Sequence, residues 1–222
     1  MPSATYPQSR AFAITGKEAS AVINLPFQEP APDEVRVKVS YVGICGSDLH
    51  YYFDGVNGGF EIKEPLIPGH EISGLIDSDP TGEFESGTPV AIFPAQPGRF
   101  VDGLEDRPHL WHGVRYMGSA ATLPHTQGGM CDYIYVKRWM IKVLPSHLSL
   151  RAGALAEPLA VALHAIALAG EIRGKRILVS GSGPIGLLTI AAVKKRGVRS
   201  ITATDLVPTA LERARVLGAD SL

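Results

Sequence analysis

Between residues 176 and 205 the chain spells out one unit of architecture almost completely. Arg176-Ile177-Leu178-Val179-Ser180 is apolar and β-branched, the composition of a short buried parallel strand. It runs into Gly181-Ser182-Gly183-Pro184-Ile185-Gly186 and then into the helical pattern of residues 187–193. G-x-G-x-x-G between a strand and a helix is the dinucleotide-binding fingerprint. Gly181 makes the tight turn, Gly183 lets the backbone approach a pyrophosphate, and Gly186 lets helix and strand pack closely. The helix N-terminus after this Gly181–Gly186 loop, with Pro184 and Ile185 in it, offers free N–H groups and a positive dipole end to phosphates. A second strand, Ser200 to Thr204, ends at Asp205, 19 residues after Gly186. A carboxylate there can accept both ribose hydroxyls and repels a 2′-phosphate, so NAD is expected over NADP. An ordinary βα turn is the alternative, and the conjunction of strand, helix and acid weighs against it.

A second group of residues lies upstream. Cys45, His70 and Glu71 fall in two segments that read as loops, Gly43-Ile44-Cys45-Gly46-Ser47-Asp48-Leu49-His50 and Pro68-Gly69-His70-Glu71. Glu157 follows in Ala156-Glu157-Pro158-Leu159. A thiolate, an imidazole and one or two carboxylates suit Zn²⁺, with a position left for water or substrate. Either Cys45 or His70 alone would read as packing. The flanking glycines, and the crowding of Ser47, Asp48 and His50 beside the thiol, favour a metal.

Composition narrows the remaining classes. Net charge is −1, with 19% charged and 45% hydrophobic residues, so nothing points to nucleic acid or an anionic membrane. Lys194, Lys195 and Arg196 close a helix, where cations suit the dipole. Two cysteines cannot build a disulfide framework, and they fit a reducing cytosol. Met1 to Tyr6 lack the features of a signal peptide, so a cytoplasmic location is expected. The apolar stretch from Ala152 to Gly170 is interrupted by Glu157, Pro158 and His164. It predicts a buried core helix opened by Pro158, with His164 a satisfied core histidine, and no membrane span.

These segments together resemble the zinc-dependent medium-chain dehydrogenases, above all the polyol branch of sorbitol, xylitol and L-idonate dehydrogenases. The residues that carry the resemblance are the run Gly43 to Tyr52, Pro68-Gly69-His70-Glu71, Gly118-Ser119-Ala120, Gln127-Gly128-Gly129, Ala156 to Val161 and Gly183-Pro184-Ile185-Gly186. The resemblance implies a GroES-like β-barrel catalytic domain over residues 1–152 and the start of a Rossmann domain over 153–222. It implies one catalytic zinc on Cys45, His70, Glu71 and Glu157, an NAD cofactor, and a homo-oligomer when full length. The implied substrate is a small polyol or sugar acid, for instance L-idonate going to 5-keto-D-gluconate. A secondary hydroxyl polarised at zinc would lose its proton to Ser47 and onward to His50, and hydride would go to nicotinamide. Tyr51 is a candidate for contacting substrate hydroxyls. Two rivals are a non-catalytic NAD- or zinc-binding protein, which has no need of Ser47 and His50, and a zinc-free quinone reductase on the same fold.

Two departures from the family stand out. Residues 93–117, where many members carry a four-cysteine structural zinc, contain no cysteine. His109 and His112 there are expected to be solvent-facing loop residues. Ala210 stands where polyol dehydrogenases often have an arginine near the adenine, with Arg213 one turn on. Short strands are expected at Val35–Val39, which alternates as a half-buried strand should, and at Ile72–Ile76, Pro89–Phe93 and Tyr133–Val136. A helix fits Pro208 to Leu217, with Gly218 to Asp220 heading for a third strand. With two strands where a Rossmann half needs three, the sequence reads as an inactive fragment of a longer enzyme.

Overall fold

The computed structural model describes residues 8–222, and the signal-peptide expectation on Met1 to Tyr6 lies outside them. Two compact units divide between Leu155 and Ala156, three residues later than the boundary drawn from sequence.

The first unit is a β-structure. Strands β1 (Ser9–Gly16) and β2 (Ala19–Leu25) form a hairpin. Strand β3 (Glu34–Gly43) leads to helix α1 (Gly46–Asp54) and a small hairpin of β4 (Val56–Asn57) and β5 (Phe60–Glu61). Strands β6 (Glu71–Ser78) and β7 (Pro89–Ile92) follow, then β8 (Ala95–Gln96) pairing with β9 (Arg115–Tyr116). Strands β10 (Tyr133–Lys137) and β11 (Ile141–Val143) and the short helix α2 (Leu150–Gly153) complete the unit. The main sheet is antiparallel in the order β10-β3-β6-β7-β11. Its register sets Val37 opposite Ile134 and Ile76, and Val35 opposite Val136. All five are buried in one core with Ile72, Val90 and Met140. Each such side chain contributes about 1.5–3 kcal/mol by leaving water.

Strand β3 does not alternate as expected. Arg36 is only 8% exposed, between Val35 and Val37, both fully buried. Its guanidinium is satisfied on the far face by Asp77 at 2.6 Å and by the Gln28 carbonyl at 2.9 Å, and it lies 4.3 Å over the Phe27 ring. A long cation with an apolar stem can be buried when its charge is paired and its donors are used.

The second unit contains α3 (Ala156–Leu168), β12 (Arg176–Ser180), α4 (Pro184–Lys194), β13 (Ser200–Thr204) and α5 (Pro208–Leu217). Strands β12 and β13 are parallel, with Ile177 opposite Ile201 and Val179 opposite Ala203. Ser221 adds a parallel bridge to Thr202, the third-strand direction expected after Gly218. The helix α3 begins at Ala156, so Pro158 sits within its first turn, where its missing N–H costs nothing. It is not the buried core helix expected. Only Pro158, Ala162 and Ile166 are buried, at a four-residue spacing that covers one stripe, and His164 is exposed. Among the described residues no helix is long and apolar enough to cross a membrane.

Candidate metal and nucleotide sites

Cys45 lies in the short connection between β3 and α1. It is the N-cap of α1, its side chain accepts from the backbone of Asp48, and the Asp48 carboxylate accepts the Cys45 N–H at 2.9 Å. This reciprocal capping box fixes where the chain turns from β3 into the helix. The other Asp48 oxygen accepts the N–H of Gly69 at 3.1 Å, so one buried carboxylate ties the Cys45 turn to the segment that carries His70. Gly69 has φ +92°, and a Cβ there would press on Val42 and Met130. Gly43 pairs in register with Glu71, and a Cβ at Gly43 would collide with the Glu71 carboxylate. Gly43 thus clears the space that Glu71 fills.

The result is a cluster in which the ligand atoms of Cys45, His70 and Glu71 all lie within 4.8 Å of one another. Donors around a tetrahedral zinc sit about 3.5 Å apart, so small side-chain adjustments close this set on an ion. Sulfur, nitrogen and oxygen from one residue each is the donor chemistry of an open zinc site. Hydrogen bonding from His70 holds the Cys45 thiol below its usual range against the opposing effect of burial, with Ser47 adding to the lowering. The other thiol is inert by contrast. Cys131 donates to the Tyr133 carbonyl at 3.1 Å, and burial pushes it up to about 12.

The remaining expected residues divide. Ser47 lies on the first turn of α1, beside the Cys45 thiol. His50, one turn on, is exposed on the same helix and meets Asp54 at 3.0 Å. Glu157 is in the first turn of α3, in the second unit. Tyr51, the candidate substrate contact, lies in the core of the first unit. It is 1% exposed, packed with Ile14 and Leu66, and its hydroxyl accepts the Ala120 N–H at 3.0 Å. It shares the buried face of α1 with Asp48, three residues earlier, while His50 faces solvent. Sequence reasoning missed two residues. Asp48 announces itself only through its third-position spacing from Cys45, the signature of a capping box. Tyr116, whose ring meets that of His70 edge-on at 5.4 Å, carries no local signal, because the contact spans 46 residues of chain.

The cysteine-free stretch of residues 93–117 holds itself together by other means. The Phe100 and Trp111 rings meet edge-on at 5.3 Å, and the Trp111 indole donates to the Leu104 carbonyl at 2.8 Å. Arg99 and His112 form an antiparallel bridge, and both His109 and His112 are exposed, as expected.

In the second unit Gly181 has φ +92° and donates to the Thr204 carbonyl at 2.9 Å. A Cβ at Gly186 would strike the Gly181 carbonyl, so the close helix–strand approach does require glycine there. Gly183 is the N-cap of α4, with Pro184 next and Ile185 following in the first turn. A Cβ on Gly183 would meet nothing within 4 Å, which leaves its backbone accessible to a phosphate. Asp205 follows β13 directly. One of its oxygens accepts the Ser182 N–H at 2.7 Å and the other the Val207 N–H at 2.8 Å. These bonds, Val207 foremost, hold the carboxyl below its usual range. Each oxygen keeps a second lone pair for a further donor.

The alcohol dehydrogenase GroES-like domain family matches residues 31–146. L-Idonate 5-dehydrogenase (NAD(P)(+)) of Escherichia coli K12 is 41% identical over 187 residues, covering 84% of this chain and 54% of that enzyme. Human sorbitol dehydrogenase is 33% identical over 223 residues, covering 99% of this chain and 61% of that enzyme. The crystal structure of E. coli L-idonate 5-dehydrogenase superposes with a TM-score of 0.92 at 36% identity, over 97% of this chain and 62% of that one. The chain thus spans between about half and two thirds of the length of the relatives it matches. A GroES-like sheet, three zinc-type donors drawn together beside it and a glycine-loop βαβ unit agree with these matches, and the chain belongs to the zinc-type medium-chain dehydrogenases, in their polyol branch.

Proposed function

We propose that the protein carrying this chain oxidises a secondary hydroxyl of a polyol or aldonate, with L-idonate as the preferred candidate over sorbitol or xylitol, and passes hydride to NAD. The observation that carries the reading is the convergence of Cys45, His70 and Glu71 at the N-terminus of α1. Zinc would supply Lewis acidity and NAD would supply the hydride acceptor.

The chain's own residues supply the rest. Cys45, His70 and Glu71 hold the metal, with Glu157 the candidate fourth side chain. Asp48 keeps the two ligand segments in register. Ser47, next to the Cys45 thiol, is placed to take a hydroxyl proton. His50 is exposed and held by Asp54, a suitable exit to solvent for that proton. Gly181, Gly183, Pro184, Ile185 and Gly186 form the candidate pyrophosphate cradle, and Asp205 the candidate ribose acceptor, which favours NAD. A homo-oligomeric, cytoplasmic enzyme with a single zinc per protomer completes the proposal.

The test is a panel of sugar alcohols and aldonates offered with NAD or NADP to the protein that contains this chain. Nicotinamide reduction is read alongside zinc content. Turnover on L-idonate well above that on sorbitol supports the aldonate reading. Zinc-loaded protein that reduces NAD with none of the panel sinks the catalytic reading and favours a non-catalytic binding protein.

A further inference from the structure

The Asp205 side chain does more in this structure than wait for a ribose. The glycine loop between β12 and α4 is held from below by two bonds to one carbonyl. Gly181 N–H and Ser182 Oγ both donate to the Thr204 oxygen, at 2.9 and 3.3 Å. Ser182 is 1% exposed, so its own N–H needs an acceptor inside the protein. That acceptor is Asp205, at 2.7 Å. The second oxygen takes the N–H of Val207, the N-cap of α5. One carboxylate therefore joins the turn that leads into α4 to the turn that leads into α5, while Leu206 between its two contacts is fully exposed. The hydrogen bonds that hold its carboxyl below the usual range keep it ionised, and charge-assisted bonds are the stronger kind.

From this geometry, and resting on the nucleotide reading above, we propose that Asp205 is a positioning residue for the glycine loop as well as the candidate ribose ligand. Its removal then weakens binding of both nicotinamide dinucleotides and does not transfer preference to NADP. A serine at this position is too short to reach both N–H groups. An asparagine has one oxygen to accept with and turns its NH₂ toward the other donor. The serine frees both the Ser182 and Val207 amides, the asparagine one of them, and either change loosens the cradle before any cofactor arrives.

The experiment compares the protein that contains this chain with its D205S and D205N variants, without cofactor, by NMR-detected hydrogen exchange. Expected is exchange faster by roughly tenfold or more at both the Ser182 and Val207 amides in D205S and at one of them in D205N, with Val179 and Ile201 unchanged. Calorimetric titration should show both variants binding NAD and NADP more weakly than the parent. If D205S loses the fold, read as faster exchange throughout β12 and β13, D205N carries the comparison. Unchanged exchange at both amides, or a D205S chain that binds NADP more tightly than the parent, overturns the proposal. A parent protein that binds neither dinucleotide overturns the nucleotide reading instead, and the exchange data alone then decide whether Asp205 holds the loop.

Discussion

The Asp48 carboxylate accepts the backbone N–H of Gly69 at 3.1 Å, across 21 residues of sequence. Its other oxygen is bonded to the N–H of Cys45, so the spacing between the two metal-ligand segments is set by one buried side chain. Asp48→Ala should lower zinc affinity by roughly ten- to a hundredfold, the range for groups that orient metal ligands. Competition with a chromogenic chelator measures it. Affinity equal to the parent would show that the strands alone place the ligands.

One zinc per chain is expected. Among the described residues only Cys45, His70 and Glu71 bring three suitable ligand atoms together, and residues 93–117 contain no cysteine. Cys45→Ser should abolish tight zinc binding while leaving the fold in place, as read by atomic absorption and circular dichroism. Two tightly held equivalents in the parent chain would contradict this assignment.

Tyr51→Phe separates a core residue from a substrate contact. The substitution leaves the Ala120 N–H buried without its hydroxyl acceptor, at a cost of about 1–3 kcal/mol in stability. Denaturant unfolding should show that loss, with zinc affinity unchanged. A variant as stable as the parent would restore Tyr51 to the substrate side.

Acid stability should depend on Asp79. Its fully buried side chain accepts from Arg138 at 2.6 Å and from the Phe84 and Thr81 backbones, and the Arg138 guanidinium holds the carboxyl far below the usual 3.8. A carboxyl depressed in the folded state stabilises fully above its unfolded pKa, near pH 4, and that stabilisation is lost as pH falls further. Asp79→Asn should therefore cost about 3 kcal/mol at neutral pH and flatten the loss of stability below pH 4. Parallel pH–stability curves for the parent and D79N would rule this out.

The Rossmann part was legible in the residues themselves. Strand, glycine loop, helix and acid follow one another between Arg176 and Asp205, and each is dictated by neighbours a few positions away. The same holds for the helix at Pro208–Leu217, bounded by a proline at its start and Gly218, at φ +118°, at its end. The candidacy of Cys45, His70 and Glu71 as metal donors was also readable, because donor chemistry belongs to the side chain. What each of them rests against was not. That Gly43 makes room for Glu71, that Asp48 reaches Gly69, and that Tyr116 flanks the His70 ring are consequences of strand register and chain return.

Burial separated the two levels most clearly. Sequence period places Arg36 on an outward face, and Tyr51 reads as a candidate substrate contact, yet both are buried, because Phe27 and Asp77 cover the one and Leu66 and Ala120 enclose the other. The apolar run of α3 read as a core helix, yet only one stripe of it is covered. Local pattern determines which conformation a segment adopts and which chemistry it carries. Which of its faces meets protein or water is decided by partners distant in sequence, and only the tertiary structure supplies those.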